Sequence, residues 1–169
     1  MTTTTDQFHF RDALVSDIDQ IFKVRFSVTE NVLSNPALVT YDDNVDYLTN
    51  RGKGWICETD PDGIVGFAIA DLKGNSIWAL FVMPKFEGIG IGKKLQELML
   101  DWYFKQTTQK LWLETAADTK AEKFYNVSGW VEVHREIRIP SLQTLPPFTE
   151  IRFEMTYEDW KKNFNPYDL

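Results

Sequence analysis

The sequence predicts an α/β fold with a mixed, mostly antiparallel central sheet, in the order β-α-α-β-β-β-α-β-α-β-β. Three observations lead to this prediction. Three short apolar runs between residues 55 and 82 are separated only by turn residues, which indicates an antiparallel meander. A glycine-rich turn, an amphipathic helix and a further strand follow, as in a parallel βαβ crossover. Two more strand patterns come later in the chain, so the sheet is mixed rather than doubly wound.

The first strand and the first helix are predicted before residue 30. Phe8 to Ala13 alternates well enough for a strand. Ser16 with Asp19 three residues later resembles a capping box, which marks the start of a helix. The apolar face of that helix is predicted to consist of Ile18, Ile21, Phe22 and Phe26.

A second, shorter helix is predicted after a break at Asn35-Pro36. Proline lacks a backbone N–H and restricts the residue before it, so a helix seldom continues through such a pair. Thr40 with Asp43 predicts the N-cap of the second helix, which is expected to end near Gly52.

Three strands are predicted next, from Trp55 to Glu58, from Ile64 to Asp71 and from Ile77 to Val82. The turn at Asp60-Pro61-Asp62-Gly63 has a physical reason, because proline presets one backbone angle and glycine accepts a positive one. Lys73-Gly74-Asn75 is the second turn. Connections this short are typical of antiparallel neighbours.

A long amphipathic helix and a parallel strand follow the glycines. The helix has one apolar stripe, which is formed by Ile91, Leu95, Leu98, Met99 and Trp102. This spacing is strong evidence for a helix packed on a sheet. Lys110 to Thr115 is then predicted to be a strand parallel to the one before the helix.

The last predicted elements are a short helix and two strands. Thr119 with Glu122 predicts a third capping box, and Gly129 is expected to end the helix that follows. The two strands are predicted over Trp130 to Ile139 and Glu150 to Thr156, and the loop Pro140 to Thr149 between them is longer than a tight hairpin needs.

Length, charge and cysteine content limit the class of protein. With 169 residues, a single domain over residues 1–169 is expected. The net charge of −7 argues against nucleic acid as the main partner, because phosphate backbones are bound through clustered Lys and Arg. No apolar run approaches the ~20 residues that span a bilayer, and residues 1–6 lack the plan of a secretory signal. With Cys57 as its one cysteine, the sequence predicts a cytoplasmic protein without a membrane partner.

The turn before the long helix has the features of a phosphate site. Gly88, Gly90 and Gly92 alternate there, and glycine leaves no side chain between backbone and ligand. A helix start offers unpaired N–H groups and the positive end of the helix dipole. Lys93 and Lys94 add two positive charges. We therefore expect an anion to bind here; a glycine-rich turn that binds nothing is the alternative.

Two stretches carry a resemblance to a known family over nearly the whole chain. The first is Val82-x-Pro84 followed by Glu87-Gly88-Ile89-Gly90-Ile91-Gly92, and the second runs from Ala121 to Trp130 as Ala-Glu-Lys-Phe-Tyr-Asn-Val-Ser-Gly-Trp. They resemble the (Gln/Arg)-x-x-Gly-x-(Gly/Ala) pyrophosphate loop and the Ala-x-x-(Leu/Phe)-Tyr-x-x-x-Gly-Phe motif of the GNAT superfamily of N-acetyltransferases. The resemblance implies the acyl-CoA N-acyltransferase fold and acetyl-CoA as co-substrate.

The resemblance also implies which residues hold acetyl-CoA. Its pyrophosphate would lie on the glycine loop, and its pantetheine arm would pair with the backbone at the end of the strand before it. The implied cofactor-binding residues are Phe81, Val82, Gly88, Ile89, Gly90, Ile91, Gly92, Lys93 and Lys94. Two positions depart from the family pattern, because Glu87 replaces the Gln or Arg of the loop and Asp118 replaces an Asn before the second motif. A carboxylate facing a pyrophosphate would repel it, unless Glu87 points to solvent.

Transfer of an acetyl group to an amine needs a neutral amine and a proton for the departing thiolate. Tyr125 matches the family position of that general acid, and its ordinary pKa of about 10 makes the transfer feasible. Residues 77–82 hold no carboxylate, so Glu114 on the next strand is the candidate general base, acting through water. A packed tyrosine and a solvated glutamate are the structural alternatives. His134 and Cys57 are expected to be structural, and no metal site is expected from their spacing.

Two other functions are considered. A non-catalytic acyl-CoA sensor with the same fold stays open, because the strand carboxylate is missing and Glu87 is unusual. A dinucleotide-binding oxidoreductase, with Glu114 on a ribose, would need glycines where Lys93 or Leu95 stands. The expected activity is therefore direct acetyl transfer to a small-molecule or peptide amine. The acceptor, the length of the acyl group and a homodimer stay open.

Overall fold

One seven-stranded sheet organises the chain. The computed structural model describes residues 7–32, 36–141 and 144–164. The strands are β1 (Phe8–Asp12), β2 (Gly52–Thr59), β3 (Gly63–Asp71), β4 (Ser76–Val82), β5 (Leu111–Ala116), β6 (Val131–Arg138) and β7 (Phe148–Met155). The α-helices are α1 (Ile18–Ser27), α2 (Tyr41–Asp46, continued by a π-helical turn over Tyr47–Arg51), α3 (Ile91–Gln106), α4 (Lys120–Val127) and α5 (Tyr157–Phe164).

The sheet is mixed and mostly antiparallel, as the sequence predicts. Its strand order is β1-β2-β3-β4-β5-β7-β6, and every neighbouring pair is antiparallel except β4 and β5. The predicted meander of β2, β3 and β4 is confirmed together with its turns. Gly63 has a φ of +74° and Asn75 a φ of +55°, a conformation that these two residue types tolerate better than most.

Helices cover both faces of the meander. α3 lies on one face, where Leu95, Met99 and Tyr103 are fully buried. α1 lies on the other face, where Ile21 and Val24 are fully buried. Each such side chain contributes about 1.5–3 kcal/mol when it leaves water. The α3 face and the α1 face therefore define two sides of the sheet, and β6 forms an exposed edge.

The start of α1 differs from the prediction. Ser16 and Asp19 do not form a capping box, and both are exposed. Instead Asp17 accepts a hydrogen bond from the backbone N–H of Leu14 at 2.7 Å, and its two oxygens accept hydrogen bonds from the Arg11 guanidinium at 2.8 and 3.0 Å. The helix start is thus fixed by an arginine on β1, which a local capping pattern cannot reveal.

The apolar face of α1 is also rotated from the prediction. Ile18 and Ile21 are buried as expected, whereas Phe26 is 52% exposed and stacks on Phe22 at the surface. Arg25 takes the inward position beside Phe26 and is only 7% exposed. A charged residue on the buried face was not predicted, because hydrophobic periodicity assigns charged residues to solvent.

The predicted starts of α2 and α4 are confirmed. Thr40 and Asp43 bond reciprocally, with the Asp43 N–H donating to Thr40 Oγ1 and the Thr40 N–H donating to Asp43 Oδ2. The Glu122 N–H donates to Thr119 Oγ1, as a capping box requires. The Glu122 carboxylate, however, accepts its hydrogen bond from the N–H of Asp118 rather than from that of Thr119.

The fifth helix was not predicted, although the sequence carries its signals. Thr156 and Asp159 bond reciprocally at its start, through Asp159 N–H to Thr156 Oγ1 and Thr156 N–H to Asp159 Oδ2. Trp160 is buried and stacks on Phe104 of α3 with ring centroids 5.3 Å apart. The aromatic residues of α5 therefore attach this helix to the α3 face.

Some predictions concern residues that the structure does not describe. Residues 1–6, Asn35 of the predicted break, and residues 142–143 of the long loop lie outside the described residues. Among the helices that are described, none has both the length and the apolar composition that crossing a bilayer requires.

Replacing Asp17 by Asn is expected to destabilise the fold by about 1–3 kcal/mol at neutral pH, because the Arg11 side chain and the Leu14 N–H lose a charged acceptor. Arg11 holds the pKa of Asp17 below its ordinary value. A lowered folded-state pKa contributes stability above the unfolded-state pKa, and this contribution disappears as the pH falls through the folded-state pKa.

The stability difference between the wild type and Asp17→Asn should therefore be largest near neutral pH and shrink below about pH 4. Urea unfolding at a series of pH values measures it. Asp19→Asn, an exposed change on the same helix, is the matched control. A difference that does not vary with pH would contradict the role assigned to the Arg11–Asp17 pair.

Candidate active site

The site is built where β4 and β5 diverge. The two strands share only the parallel pair Ser76 and Trp112 along their described lengths, and the Trp112 N–H donates to the carbonyl oxygen of Asn75 at 2.9 Å. Beyond this point two clefts lie at the carboxyl end of β4. The large cleft, of about 830 Å³, lies on the α3 face between α3 and α4. The small cleft, of about 100 Å³, lies between the end of β4 and residues 28–31.

Glycines shape one end of the large cleft. Gly88 and Gly90 have φ values of +77° and +96°, in the left-handed region that L-residues with a side chain rarely adopt. Gly90 is the N-cap of α3, and its carbonyl oxygen accepts a hydrogen bond from the N–H of Lys94. The preceding N–H groups of the first turn have no acceptor within the helix. Together with the ammonium of Lys93, which lines the cleft, they are groups of the kind that hold an anion at a helix start.

The end of β4 forms the boundary between the two clefts. Its antiparallel partner is β3, with Val82 opposite Gly66. The opposite edge of β4, beyond Ser76, is not paired with β5. Leu80 and Val82 line both clefts, whereas Phe81 lines the small one. The edge of β4 therefore offers backbone groups to a ligand that lies between the strands.

Tyr125 forms part of the wall of the large cleft. It is 6% exposed and packs among Phe124, Trp130 and Phe153, with ring centroids 5.2, 5.6 and 5.9 Å away. Within the described residues its hydroxyl makes no hydrogen bond. Burial raises the pKa of Tyr125 above its ordinary value. The tyrosine is thus neutral at physiological pH and retains its proton.

The unusual carboxylate of Glu87 is neutralised at the rim of the clefts. Its Oε2 accepts a hydrogen bond from Lys120 Nζ at 2.7 Å. Both residues line the two clefts. The repulsion that the sequence suggests between Glu87 and a bound anion is therefore offset by a cation from the first turn of α4.

Residues 30 and 31, which follow α1, are hydrogen-bonded to the end of β5 and the start of α4. Glu30 accepts a hydrogen bond from the backbone N–H of Lys120 at 2.8 Å, and Asn31 Oδ1 accepts one from the N–H of Ala116 at 2.9 Å. Asn31 has a φ of +54° and also accepts from Thr115 Oγ1. These bonds hold residues 28–31 against the ends of β5 and α4, and so they form the outer wall of the small cleft.

Glu114 lies on the opposite side of the sheet from the large cleft. Leu111 and Leu113 of β5 face the α3 side, so strand alternation directs Glu114 to the α1 side. Its Oε1 is 3.7 Å from Arg152 Nη1. Burial, followed by a hydrogen bond with Glu150, raises the pKa of Glu114 above its ordinary value.

The large cleft brings together most of the predicted site residues, namely Val82, Gly88, Gly90, Ile91, Gly92, Lys93 and Tyr125. Phe81 lines the small cleft. Ile89, Lys94 and Glu114 line neither cleft, and Ile89 is 59% exposed. The roles of these residues stay predictions.

Sequence reasoning missed several cleft residues on α4 and α5. Lys120, Phe124 and Val127 line the large cleft and follow one another at intervals of four and three residues, so the period of the helix could have placed them together on one face of α4. Asn163 and Phe164 of α5 line it as well. They could not be placed there, because that helix was not predicted.

Other chemically reactive side chains lie away from the clefts. Cys57 is fully buried, and burial raises the pKa of its thiol to about 11, so the core position expected for it is confirmed. Asp43 caps α2, and Asp46 accepts a hydrogen bond from Asn50. In the part of the chain that the structure describes, no group of three or more His, Cys, Asp or Glu side chains is arranged to hold a metal ion.

Comparison with known proteins gives matches at the level of sequence. The family model described as the acetyltransferase (GNAT) family matches residues 15–130. Over 110 residues the chain is 31% identical to the peptidyl-lysine N-acetyltransferase YjaB of Salmonella typhimurium, and the match covers 65% of this chain and 72% of that protein.

Solved structures match the fold. The ribosomal-protein-S18-alanine N-acetyltransferase from Escherichia coli has a TM-score of 0.72 at 17% identity, over 89% of this chain and 94% of that chain. The structure of yncA from Salmonella typhimurium with its cofactor acetyl-CoA has a TM-score of 0.73 at 14% identity, over 89% of this chain and 94% of that chain. At these identities the likeness concerns the fold.

Alanine substitutions at Gly90 and Gly92 should change the free energy of unfolding in opposite directions. Gly90→Ala places a side chain at a φ of +96° and is expected to destabilise the fold by about 1–2 kcal/mol. Gly92 lies inside α3, and a Cβ there would make ordinary contacts of 3.8 Å with Phe124 and Val82. Gly92→Ala is therefore expected to stabilise the helix by up to about 1 kcal/mol. Urea unfolding of both variants measures the difference, and equal effects would contradict the strained turn.

Proposed function

The chain belongs to the acetyltransferase (GNAT) family, and we propose that it transfers an acetyl group from acetyl-CoA to a primary amine of its acceptor by direct attack of the amine. The observation that carries this proposal is the large cleft, which joins the glycine turn, the unpaired edge of β4 and Tyr125 in one space. We propose that residues 1–169 act as one catalytic domain.

The residues of the large cleft fit a coenzyme A thioester. Its volume of about 830 Å³ is in the range of small-molecule sites. The N–H groups of the first turn of α3 and the ammonium of Lys93 would hold the pyrophosphate. Because Gly88 and Gly90 have no side chains in the turn, the backbone can approach an anion closely. The edge of β4 would hold the pantetheine arm, and the bound thioester supplies the activated acyl group.

Tyr125 is the proposed general acid. As the amine forms a C–N bond to the acyl carbon and the C–S bond breaks, Tyr125 gives its proton to the leaving sulfur. Burial weakens tyrosine as an acid, but the same apolar wall also disfavours a thiolate. Both effects of burial favour the neutral forms of the two groups, which keeps the proton transfer feasible.

Glu114 is the proposed general base, acting through water. It lies on the α1 side of the sheet, opposite the large cleft, so it would accept the amine proton from the acceptor side. Its raised pKa makes the carboxylate a stronger base than a glutamate with the ordinary pKa. Arg138 and Arg152 act in the opposite sense, because their positive charges favour the ionised carboxylate and limit this rise of the pKa.

An amine-bearing molecule is the proposed acceptor. The names of two similar proteins specify a peptidyl lysine and an alanine of a ribosomal protein, which are both amines. The net charge of −7 of this chain tolerates a cationic acceptor. A cytoplasmic location and a homodimer stay predictions.

Calorimetric titration with acetyl-CoA tests the cofactor, with NAD as the control ligand. Saturable binding of acetyl-CoA in the micromolar range, without binding of NAD, is expected for the proposed function. Thiol release in the presence of primary amines then tests the transfer. Absence of acetyl-CoA binding, or binding without turnover on any amine, would overturn it.

Replacing Lys120 by Gln should weaken the binding of acetyl-CoA about two- to fivefold, because Glu87 then carries an unpaired negative charge at the cleft. Adding Glu87→Gln should restore most of the affinity. Lys105→Gln, which breaks an exposed pair at the far end of α3, is the control. If the double variant binds acetyl-CoA as weakly as Lys120→Gln alone, loss of the neutralisation of Glu87 is not the reason for the weaker binding.

Replacing Tyr125 by Phe should lower kcat by roughly 100-fold and leave acetyl-CoA affinity nearly unchanged, because only the proton donor is removed. Steady-state kinetics over a range of pH and calorimetry measure the two effects. Tyr103→Phe is the matched control, since that hydroxyl bonds Asn75 away from the cleft and its loss should reduce stability alone. A Tyr125→Phe enzyme as active as the wild type at every pH would remove Tyr125 from the mechanism.

A further inference from the structure

The guanidinium of Arg25 is buried with two of its nitrogens unpaired. The residue is 7% exposed, and its Nε and Nη2 are buried without a hydrogen-bond partner among the described residues. Unpaired buried donors of a charged group are costly, so proteins seldom keep them without a reason. Burial lowers the pKa of Arg25 to about 10, and the side chain is therefore still positively charged at neutral pH.

Three aromatic rings surround this guanidinium. Its central carbon is 5.0 Å from the ring centroid of Phe81, 5.2 Å from that of Trp78 and 5.7 Å from that of Phe67. Such contacts offset part of the desolvation of a cation. They do not replace hydrogen bonds, because the N–H groups point along the plane of the guanidinium. The rings thus fix the orientation of Arg25 without providing an acceptor for Nε and Nη2.

The carboxylates near the small cleft already have partners. Glu30 accepts the N–H of Lys120, and Glu87 accepts Lys120 Nζ. Arg51 provides a contrast, because it lies 5.2 Å from the ring of Tyr47 and also donates to Asp71 Oδ2 at 2.8 Å. Arg25 has the aromatic contact without the carboxylate.

Arg25 lies beside the small cleft. Its closest ring, Phe81, lines that cleft, and so does Val28, which is three residues after Arg25 in the chain. α1 is on the face opposite α3, so Arg25 lies on the side of the sheet opposite the large cleft. This is the side from which an acceptor would meet the bound thioester.

We propose that Arg25 recognises a carboxylate of the acceptor, so that molecules with both an amine and a carboxylate are the substrate class. Nε and Nη2 lie on one edge of the guanidinium, and this edge matches the two oxygens of a carboxylate. Because both atoms are buried, the groups that cover them must shift to admit the ligand. The inference rests on the proposed acetyl transfer and names its acceptor.

A panel of matched acceptors tests the inference on the wild-type enzyme. It consists of alanine, lysine, 4-aminobutanoate and 5-aminopentanoate, each beside its carboxamide. With acetyl-CoA at saturation, kcat/KM for at least one acid should exceed that for its amide by about tenfold or more, as for a charge-assisted hydrogen bond. Equal use of acids and amides, or transfer only to peptides whose carboxylate is blocked, overturns the inference.

Substitutions of Arg25 test whether this residue causes the preference for acids over amides. In Arg25→Gln, kcat/KM for the preferred acid should fall to that of its amide, while the value for the amide changes by no more than about twofold; Arg25→Lys should keep part of the preference. Arg51→Gln is the matched control, and it should leave the acid-to-amide ratio unchanged. If Arg25→Gln does not fold, the wild-type panel still decides.

Binding separates this inference from the proposed function. Calorimetric titration of the same panel into enzyme saturated with coenzyme A measures carboxylate recognition without any transfer. Binding of the acids through Arg25 without turnover would overturn the acetyl transfer and leave the recognition site standing. Turnover with no difference between acids and amides, in rate or in binding, would overturn the recognition of a carboxylate by Arg25 and leave the acetyl transfer standing.

Discussion

The divergence of β4 from β5 is the constraint on which the rest of the structure depends. After the one pair between Ser76 and Trp112, the two strands leave backbone edges without a partner in the sheet, and such polar groups need another acceptor or donor. The divergence places a large cleft on the α3 side and a small cleft on the α1 side. Both clefts therefore meet at the end of β4, where Leu80 and Val82 line them both.

Several charged groups at the clefts have a partner, whereas two buried nitrogens of Arg25 have none among the described residues. Lys120 neutralises Glu87, and Arg152 lies beside Glu114 on the α1 side. The aromatic rings around Arg25 hold a cation in place and provide no carboxylate for it. The rings thus orient one buried arginine on the α1 side, and this arginine is the basis of the proposed acceptor class.

Most of the fold could be predicted because its signals are local. The meander follows from short turns, α3 from its apolar stripe, and the starts of α2 and α4 from capping residues within four positions. The capping pair of α1 was predicted wrongly, since the Arg11 that bonds Asp17 belongs to β1. The fifth helix was missed, although its capping pair and aromatic spacing are local signals.

The sequence by itself determined the glycine turn and the position of Tyr125 in the α4 motif, because backbone conformation and helical spacing depend on neighbours in the chain. Only the tertiary structure decided that Lys120 neutralises Glu87 and that Glu114 lies on the α1 side of the sheet. It also decided that Arg25 is buried among three rings rather than solvated. Each of these depends on contacts between residues far apart in sequence. The partner of a charged side chain is therefore set by the folded structure and not by its neighbours in the chain.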